Sequence, residues 1–493
     1  MSKKRENFSE WYNDIIEAAG LIDKRYPVKG MDVWMPYGLK LMRAIDQFTR
    51  EEMERTGHEE VEFPLLVPDH LFAKESDHIK GFEDEVYWVR HGGLDELEVP
   101  LVVRPTSETA MYPMFSLWIR AHTDLPFKIF QIVNVFRYDT KQTRSFMRVR
   151  EIHFFEAHTA HVDYDDAEDQ IKQDIEIWEN LTDKLCLPSI LAQRPEWDKF
   201  PGAHYTIAAD VIMPELKALQ CATFHHYKTN FAEPYDITYE ASEGEFKHVH
   251  QTTYGMSERL IGAIVGLHGD DQGLRLPPAV APIQVAIVPI IFEDTEQAVL
   301  DACHAMADTL KAAGIRVTVD ESDETAGFKY NKWEQKGVPL RLEIGPRDLE
   351  NDNAVLVPRD GRDEDVEVAS EHAEKVLKGS KLVVPQADIV AAVEEQLDAF
   401  ATRLRAAADR LVEENRITIK TLEDAQHHEG VLETWWCGEQ ACAEEIETGA
   451  DRAVLGFPRV VEDGELKAPE SDPGGCIACG AQTDQVILLA RTY

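Results

Sequence analysis

The chain has 493 residues, 44% of them hydrophobic, which is enough for about three domains with sizeable cores. Its 91 acidic residues outnumber 51 basic ones, and the net charge of −40, taken alone, argues against a nucleic-acid partner, because phosphates are repelled. No basic head followed by an apolar core opens the sequence, and its longest uncharged stretch, 276–292, carries Pro277, Pro278, Pro282 and Pro289; a secretory leader and a membrane helix are both disfavoured, and a soluble, cytoplasmic protein is expected.

In chain order, Ser9 reads as the N-cap of a helix that carries Trp11, Ile15 and Ile16 and stops near Gly20. A second helix is predicted over 37–56, with Leu41, Ile45 and Phe48 on one face and Gly57 as its stop. A strand over 59–63 is closed by Pro64, strands follow near 86–89 and 101–103, and a helix begins near Glu108. Strands over 128–137 and 150–158 flank a basic loop and read as an antiparallel hairpin with a long tip. After the proline-rich stretch come a strand over 285–288, a helix over 295–313 ended by Gly314, a strand over 316–319, a helical stretch over 329–336 and a strand over 340–344, the alternation of a small α/β domain. A long amphipathic helix over 387–414 leads to a cysteine-bearing tail. The expected boundaries are 1–276, 277–385 and 386–493.

Acid spread along the whole chain reads as adaptation to high salt, where charge is screened and solubility is limiting. Two windows break the pattern. Residues 137–150 hold Arg137, Lys141, Arg144, Arg148 and Arg150 against Asp139 alone. Residues 327–347 hold Lys329, Lys332, Lys336, Arg341 and Arg347 against Glu334 and Glu343. An anionic ligand or internal ion pairing would account for either. Cys186, Cys221 and Cys303 are scattered, as small core or pocket residues are. Cys437, Cys442, Cys476 and Cys479 form a Cys-x4-Cys and Cys-x2-Cys pair beside Pro473, Gly474 and Gly475, a set suited to a closed, structural Zn²⁺ site.

Three segments resemble the signature motifs of class II aminoacyl-tRNA synthetases: EEVEFP ending at Pro64; NVFRYDT with the basic loop and RVREIHFFEAH; and GMSERLIGAIVGLHGD over 255–270. The resemblance implies an α+β multidomain protein with an antiparallel-sheet catalytic domain, a homodimer formed through motif 1, and ATP with Mg²⁺. Arg137 then corresponds to the arginine bridging the substrate carboxylate and the α-phosphate, Arg259 to the one holding the terminal phosphate, and Arg148 to a further ATP contact. The chemistry explains the residue type: activation brings a carboxylate onto a phosphate, and permanently charged planar donors offset the charge that builds there. Motif 2 departs from the usual Arg-x-Glu, with Asp139 one methylene shorter.

RPTSET, over 104–109, resembles the proline-binding segment of prolyl-tRNA synthetases, in which Thr106 and Glu108 would accept the two N–H groups of a secondary ammonium. Capping of the following helix is the other reading of that pair. The same resemblance implies that Phe82, Arg137, Phe154, Glu156, His158 and His225 form the proline site, and that Gln220, Thr223 and Ser257 join Arg137, Arg148 and Arg259 around ATP. Only about ninety residues separate motifs 2 and 3, which leaves no room for the editing domain of the bacterial form; FPGAHYTIAAD and QCATFHH fit the archaeal/eukaryotic form. GFKYNKWEQKGVPLRLEIGPRD resembles that form's α/β anticodon-binding domain, so Lys329, Lys332, Arg341, Glu343 and Arg347 are candidates to meet tRNA(Pro). The same form carries a C-terminal α+β zinc domain and a final tyrosine, here Tyr493. The expected activity is condensation of L-proline with ATP to prolyl-adenylate and pyrophosphate, then transfer to the 3′ end of tRNA(Pro), with cysteine as a candidate for misactivation.

Overall fold

Apolar residues alternating with polar ones build an eleven-stranded sheet in the computed structural model, which describes residues 3–76, 85–139, 142–292, 294–363, 366–462 and 464–493. Its centre is antiparallel, in the order Ile190–Gln193, Tyr205–Ile212, Lys217–Lys228, His250–Ser257, Glu151–His161 and Phe127–Phe136. Glu59–Glu60 adds a short parallel strand beyond Phe127–Phe136. The period of two divides the faces. Phe155, Ala157, Phe224, Tyr254 and Ile207 enter one core together with Trp11 and Ile15 of helix Phe8–Ala18, Trp178 of helix Tyr164–Lys184 and Ile261 of helix Arg259–His268. Their neighbours Phe154, Glu156, Thr223, His225, Thr253 and Gly255 line a cavity.

A second sheet, of six strands, has Val317–Val319, Val285–Pro289 and Leu340–Ile344 running parallel, then Asn353–Pro358, Lys381–Pro385 and Lys375–Leu377 antiparallel. Helix Ile389–Glu414 buries Ala392, Val393 and Leu397 in this sheet's core, and one to two turns later packs Phe400 and Leu404 on Cys186 of the first unit. An ionic cluster also joins the two sheets. Asp270, beyond the end of helix Arg259–His268, accepts from Arg359 at 2.7 and 3.1 Å and from Arg275 at 2.7 Å, and Arg403 binds Asp360 at 2.6 and 2.8 Å.

The tail extends the first sheet rather than forming one apart. Arg416–Thr418, Val431–Trp435, Val486–Thr492 and Ala453–Pro458 follow in order, and the last pairs with Ile190–Gln193 through Phe457 to Gln193 and Pro458 to Ala192. Gly456 makes this approach possible: its φ is +121°, and an added Cβ would lie 2.1 Å from the Gln193 carbonyl oxygen.

Several local expectations are revised. The first helix is capped by Asn7, whose side chain accepts from the Glu10 N–H, while Ser9 accepts from Arg144 at 2.7 Å. The strand expected over 59–63 is only Glu59–Glu60; beyond it the Phe63 N–H donates to the Gln131 side chain at 2.9 Å. Helix Tyr164–Lys184 and the hairpin of Tyr205–Ile212 with Lys217–Lys228 were not anticipated. No helix among the described residues is long and apolar enough to cross a membrane.

Candidate active site

The hairpin predicted around the basic loop is present, with Phe127–Phe136 and Glu151–His161 paired in register from Phe127–Ala160 to Phe136–Glu151. The loop folds back so that Arg137 and Arg148 share one cavity of about 520 Å³ with Arg259 from the start of helix Arg259–His268. Arg259 is fixed by its own donors: Nε to the Met147 carbonyl and Nη1 to the Gln220 carbonyl, both at 2.9 Å. Arg137 donates from Nε to the Pro105 carbonyl at 3.2 Å and lies over the Phe154 ring. Burial, followed by repulsion from Arg259, pulls the Arg137 guanidinium below its ordinary pKa; burial does the same to Arg259, with Arg148 adding to it. Gathered cations that destabilise one another describe a cavity built for anions.

Asp139, the shortened acid of motif 2, lines the same cavity and stands 3.5 Å from Arg148. At the other end Thr106 donates to Glu108 at 2.5 Å, and Tyr227 donates to the second Glu108 oxygen at 3.3 Å. Helix Glu108–Trp118 has Ser107 at its N-cap and no side-chain cap, so the hydroxyl of Thr106 does not cap it. Ser107 instead donates to Glu156.

Beneath lies a buried pair. Glu156 meets His158 at 3.1 Å and also accepts from Gln131 at 2.9 Å. Burial alone would raise the Glu156 pKa, but the hydrogen bond and charge of His158, with Ser107 and Gln131, hold it below its usual range. Burial would likewise neutralise His158, and Glu156 outweighs this to raise its pKa. His158 sits behind the cavity wall, bonded to Glu156 on one side and near Tyr112 and Thr253 on the other. His225 reaches the cavity, bonds Thr206 at 2.9 Å and is pushed down to about 3 by burial and by His158, so it is neutral at pH 7.

Gln220, Thr223 and Ser257 line the cavity, as expected of nucleotide contacts. Phe82 and Lys141 lie outside the described residues. Sequence reasoning missed Arg194, Trp197, Phe200 and Glu258, which also line the cavity. Nothing in the sequence near Arg194 marks it as a cavity residue. Tyr493 also reaches this region: its hydroxyl donates to Glu215 at 2.9 Å, its carbonyl accepts from Arg148 at 3.3 Å, and Arg144 stands over its ring.

In the second sheet the basic window is largely paired. Arg341 binds Glu343 and Glu334, each at 3.0 Å, and stacks on Tyr330 at 3.9 Å. Lys381 takes the other Glu343 oxygen at 2.7 Å, and Lys329 donates to the Asp320 carbonyl. Lys332 pairs with the Asp320 carboxylate, and Arg347 is exposed. In the tail the four cysteine sulfurs lie within 4.8 Å of one another, with Cys437 and Cys479 3.8 Å apart. A tetrahedron of Zn–S bonds about 2.3 Å long spaces its sulfurs about 3.8 Å apart, so the set fits that ion.

Comparison with known proteins places these features in one family. Residues 87–268 match the class II core domain of synthetases for G, H, P, S and T, residues 284–380 an anticodon-binding domain, and residues 419–493 the C-terminal domain of prolyl-tRNA synthetases. The proline–tRNA ligase of Thermococcus kodakarensis is 52% identical over 100% of this chain and 99% of its own length. That of Thermoplasma volcanium is 47% identical, with all of both chains covered. The structure of Giardia lamblia prolyl-tRNA synthetase in complex with prolyl-adenylate superposes with a TM-score of 0.91 at 33% identity, covering 100% of this chain and 99% of that one. Related from end to end to ligases that act on proline, and sharing its fold with one solved around prolyl-adenylate, this chain belongs to the prolyl-tRNA synthetase family and is a proline–tRNA ligase.

Proposed function

We propose that the arginine cavity activates L-proline with ATP, the proline ammonium lying at Thr106 and Glu108 and the triphosphate running towards Arg259. The convergence of Arg137, Arg148 and Arg259 in one cavity carries this reading. The carboxylate oxygen of proline attacks the α-phosphorus and the bond to pyrophosphate breaks. Arg137 bridges the two anions, holding them in line and offsetting charge on the equatorial oxygens. Arg259 and Arg148 grip the departing phosphates, with Mg²⁺ entering alongside ATP. A secondary ammonium donates one N–H to Glu108 and one to Thr106, and Phe154 and neutral His225 border the ring. The Glu156–His158 pair keeps Ser107, and with it the start of helix Glu108–Trp118, in place.

We assign tRNA(Pro) as the acceptor of the prolyl group, with Lys332 and Arg347 its most accessible contacts among the anticodon candidates, and Lys329, Arg341 and Glu343 shaping the surface beneath. The domain boundaries at 1–276, 277–385 and 386–493 enclose the three matched segments. We assign the four cysteines to one structural Zn²⁺ and read the protein as a cytoplasmic enzyme of a halophile. A homodimer through motif 1 is supported by an apolar groove of about 580 Å³ between Phe63, Leu66, Val67, Met114 and Trp118, with Leu65 41% and Trp118 44% exposed. ATP–pyrophosphate exchange across the amino acids tests the central reading: proline drives exchange, and a markedly better substrate would refute it.

A further inference from the structure

Arg194 is a buried, charged member of the cavity wall to which these roles give no part. It follows strand Ile190–Gln193 and is 7% exposed. Its Nη2 donates to Asp210 at 3.0 Å and to the side-chain oxygen of Gln220 at 3.1 Å, and its Nη1 donates to the carbonyl of Leu455 in tail strand Ala453–Pro458. A planar guanidinium can serve these three acceptors at once, which an ammonium on a flexible stem cannot do in the same geometry. The tail comes this close because the next residue is Gly456, where a side chain would collide with the Gln193 carbonyl.

The contact has a chemical result. With its oxygen accepting from Arg194, the Gln220 amide is held in the orientation that leaves its nitrogen as the donor. The same residue is pinned through its backbone, since Gln220 O accepts from Arg259 at 2.9 Å. A donor at that point of the cavity suits an acceptor of the nucleotide, a purine ring nitrogen or a phosphate oxygen. Trp197 gives the tail a second hold on the wall, meeting Trp436 edge-on at 5.7 Å.

We propose that Arg194 is a positioning residue for ATP: it fixes the Gln220 amide as a nucleotide donor and is itself held by Leu455, so that the tail contributes to nucleotide affinity. The proposal rests on the reading of Gln220 as an ATP contact. The test is ATP–pyrophosphate exchange with Arg194→Lys, Gln220→Ala, their double variant, and Gly456→Ala alone and combined with Gln220→Ala. Gln220→Ala should raise KM for ATP about tenfold, the scale of one hydrogen bond to a charged or well-oriented partner. Arg194→Lys should raise it about three- to tenfold, with kcat and the KM for proline changed less than about twofold. The double variant should resemble Gln220→Ala alone, because a misaimed amide and a missing one are equivalent. Gly456→Ala, which leaves Arg194 in place but displaces Leu455, should also raise KM for ATP and add nothing to Gln220→Ala; it carries the test if Arg194→Lys does not fold. Normal KM for ATP in Arg194→Lys, equal losses for proline and ATP, or multiplying effects in the double variant would overturn the proposal while leaving the role of Gln220 standing. An unchanged KM for ATP in Gln220→Ala would remove both.

Discussion

Replacing Asp174 by Asn should change the dependence of stability on pH. Asp174 sits on helix Tyr164–Lys184, is 1% exposed, and accepts from Gln170 at 2.8 Å through one oxygen; the other oxygen has no partner among the described residues. Burial pushes its carboxyl up to about 7, against the opposing pull of Gln170 and Lys128. An unfolded Asp titrates near 3.9, so the native state holds a proton that the unfolded chain releases between about pH 4 and 7. The native state therefore enjoys this group's full contribution below about pH 4 and loses it progressively as pH rises through 7. The displacement corresponds to roughly 4 kcal/mol once the group is ionised in both states. Asn resembles the neutral carboxyl in size and also leaves one polar group unpaired, so at pH 4 the two proteins should agree within about 1 kcal/mol. At pH 8.5 the variant should be the more stable, by up to about 4 kcal/mol. Urea unfolding followed by tryptophan fluorescence suits the measurement, because Trp178 lies one turn along the same buried face. All other titrating groups are common to both chains and cancel in the difference. A difference constant across pH 4–8.5 would refute the reasoning.

Arg137→Ala should lower the rate of proline activation by about 10²–10³, the cost of one transition-state donor, and near-normal exchange would remove its assigned role. Cysteine, close to proline in size, should give a measurable adenylate, because a pocket that selects by shape separates such near-isosteres by only about 10–200-fold; failure to detect it at high cysteine would show finer selection. Purified protein should contain about one zinc per chain, and Cys476→Ser should lower both metal content and the melting temperature of the tail. Full occupancy in that variant would displace Cys476 from the ligand set.

Which parts of this architecture were readable followed from how local their causes are. The hairpin carrying Arg137 and Arg148 announced itself by two apolar strands around a basic loop in an acidic chain. The four cysteines were legible because thiolates at short spacing have few other uses. Helix Tyr164–Lys184 was missed because its exposed face is dense in acid and Asp166 and Asp169 mask the apolar stripe of Ile171, Ile175 and Trp178. Asn7 displaced Ser9 as a cap because Ser9 is engaged by Arg144, 135 residues away. Arg194 and Trp197 could not be placed, since what brings them to the cavity is the tail strand that braces them, and no pattern near residue 194 foretells it. Most of the anticodon candidates turned inward for a similar reason: Glu343, Glu334 and Asp320 were near enough to pair them.

The pairing of Ile190–Gln193 with the tail also bears on how the chain is made. Gln193 and Arg459, which hydrogen-bond across this junction at 2.7 Å, are 266 residues apart. On a ribosome, the strand that borders the catalytic sheet emerges long before its cover and stands as an open edge of apolar residues. At about 5–20 residues per second that interval lasts on the order of 13–50 seconds. A nascent chain halted before residue 453 would hold every signature arginine, yet it would expose that edge and lack Leu455 behind Arg194. Such fragments should be sticky and poor at binding ATP, and the cell's holdases should find them by the edge at Ile190 rather than by any defect in the catalytic motifs.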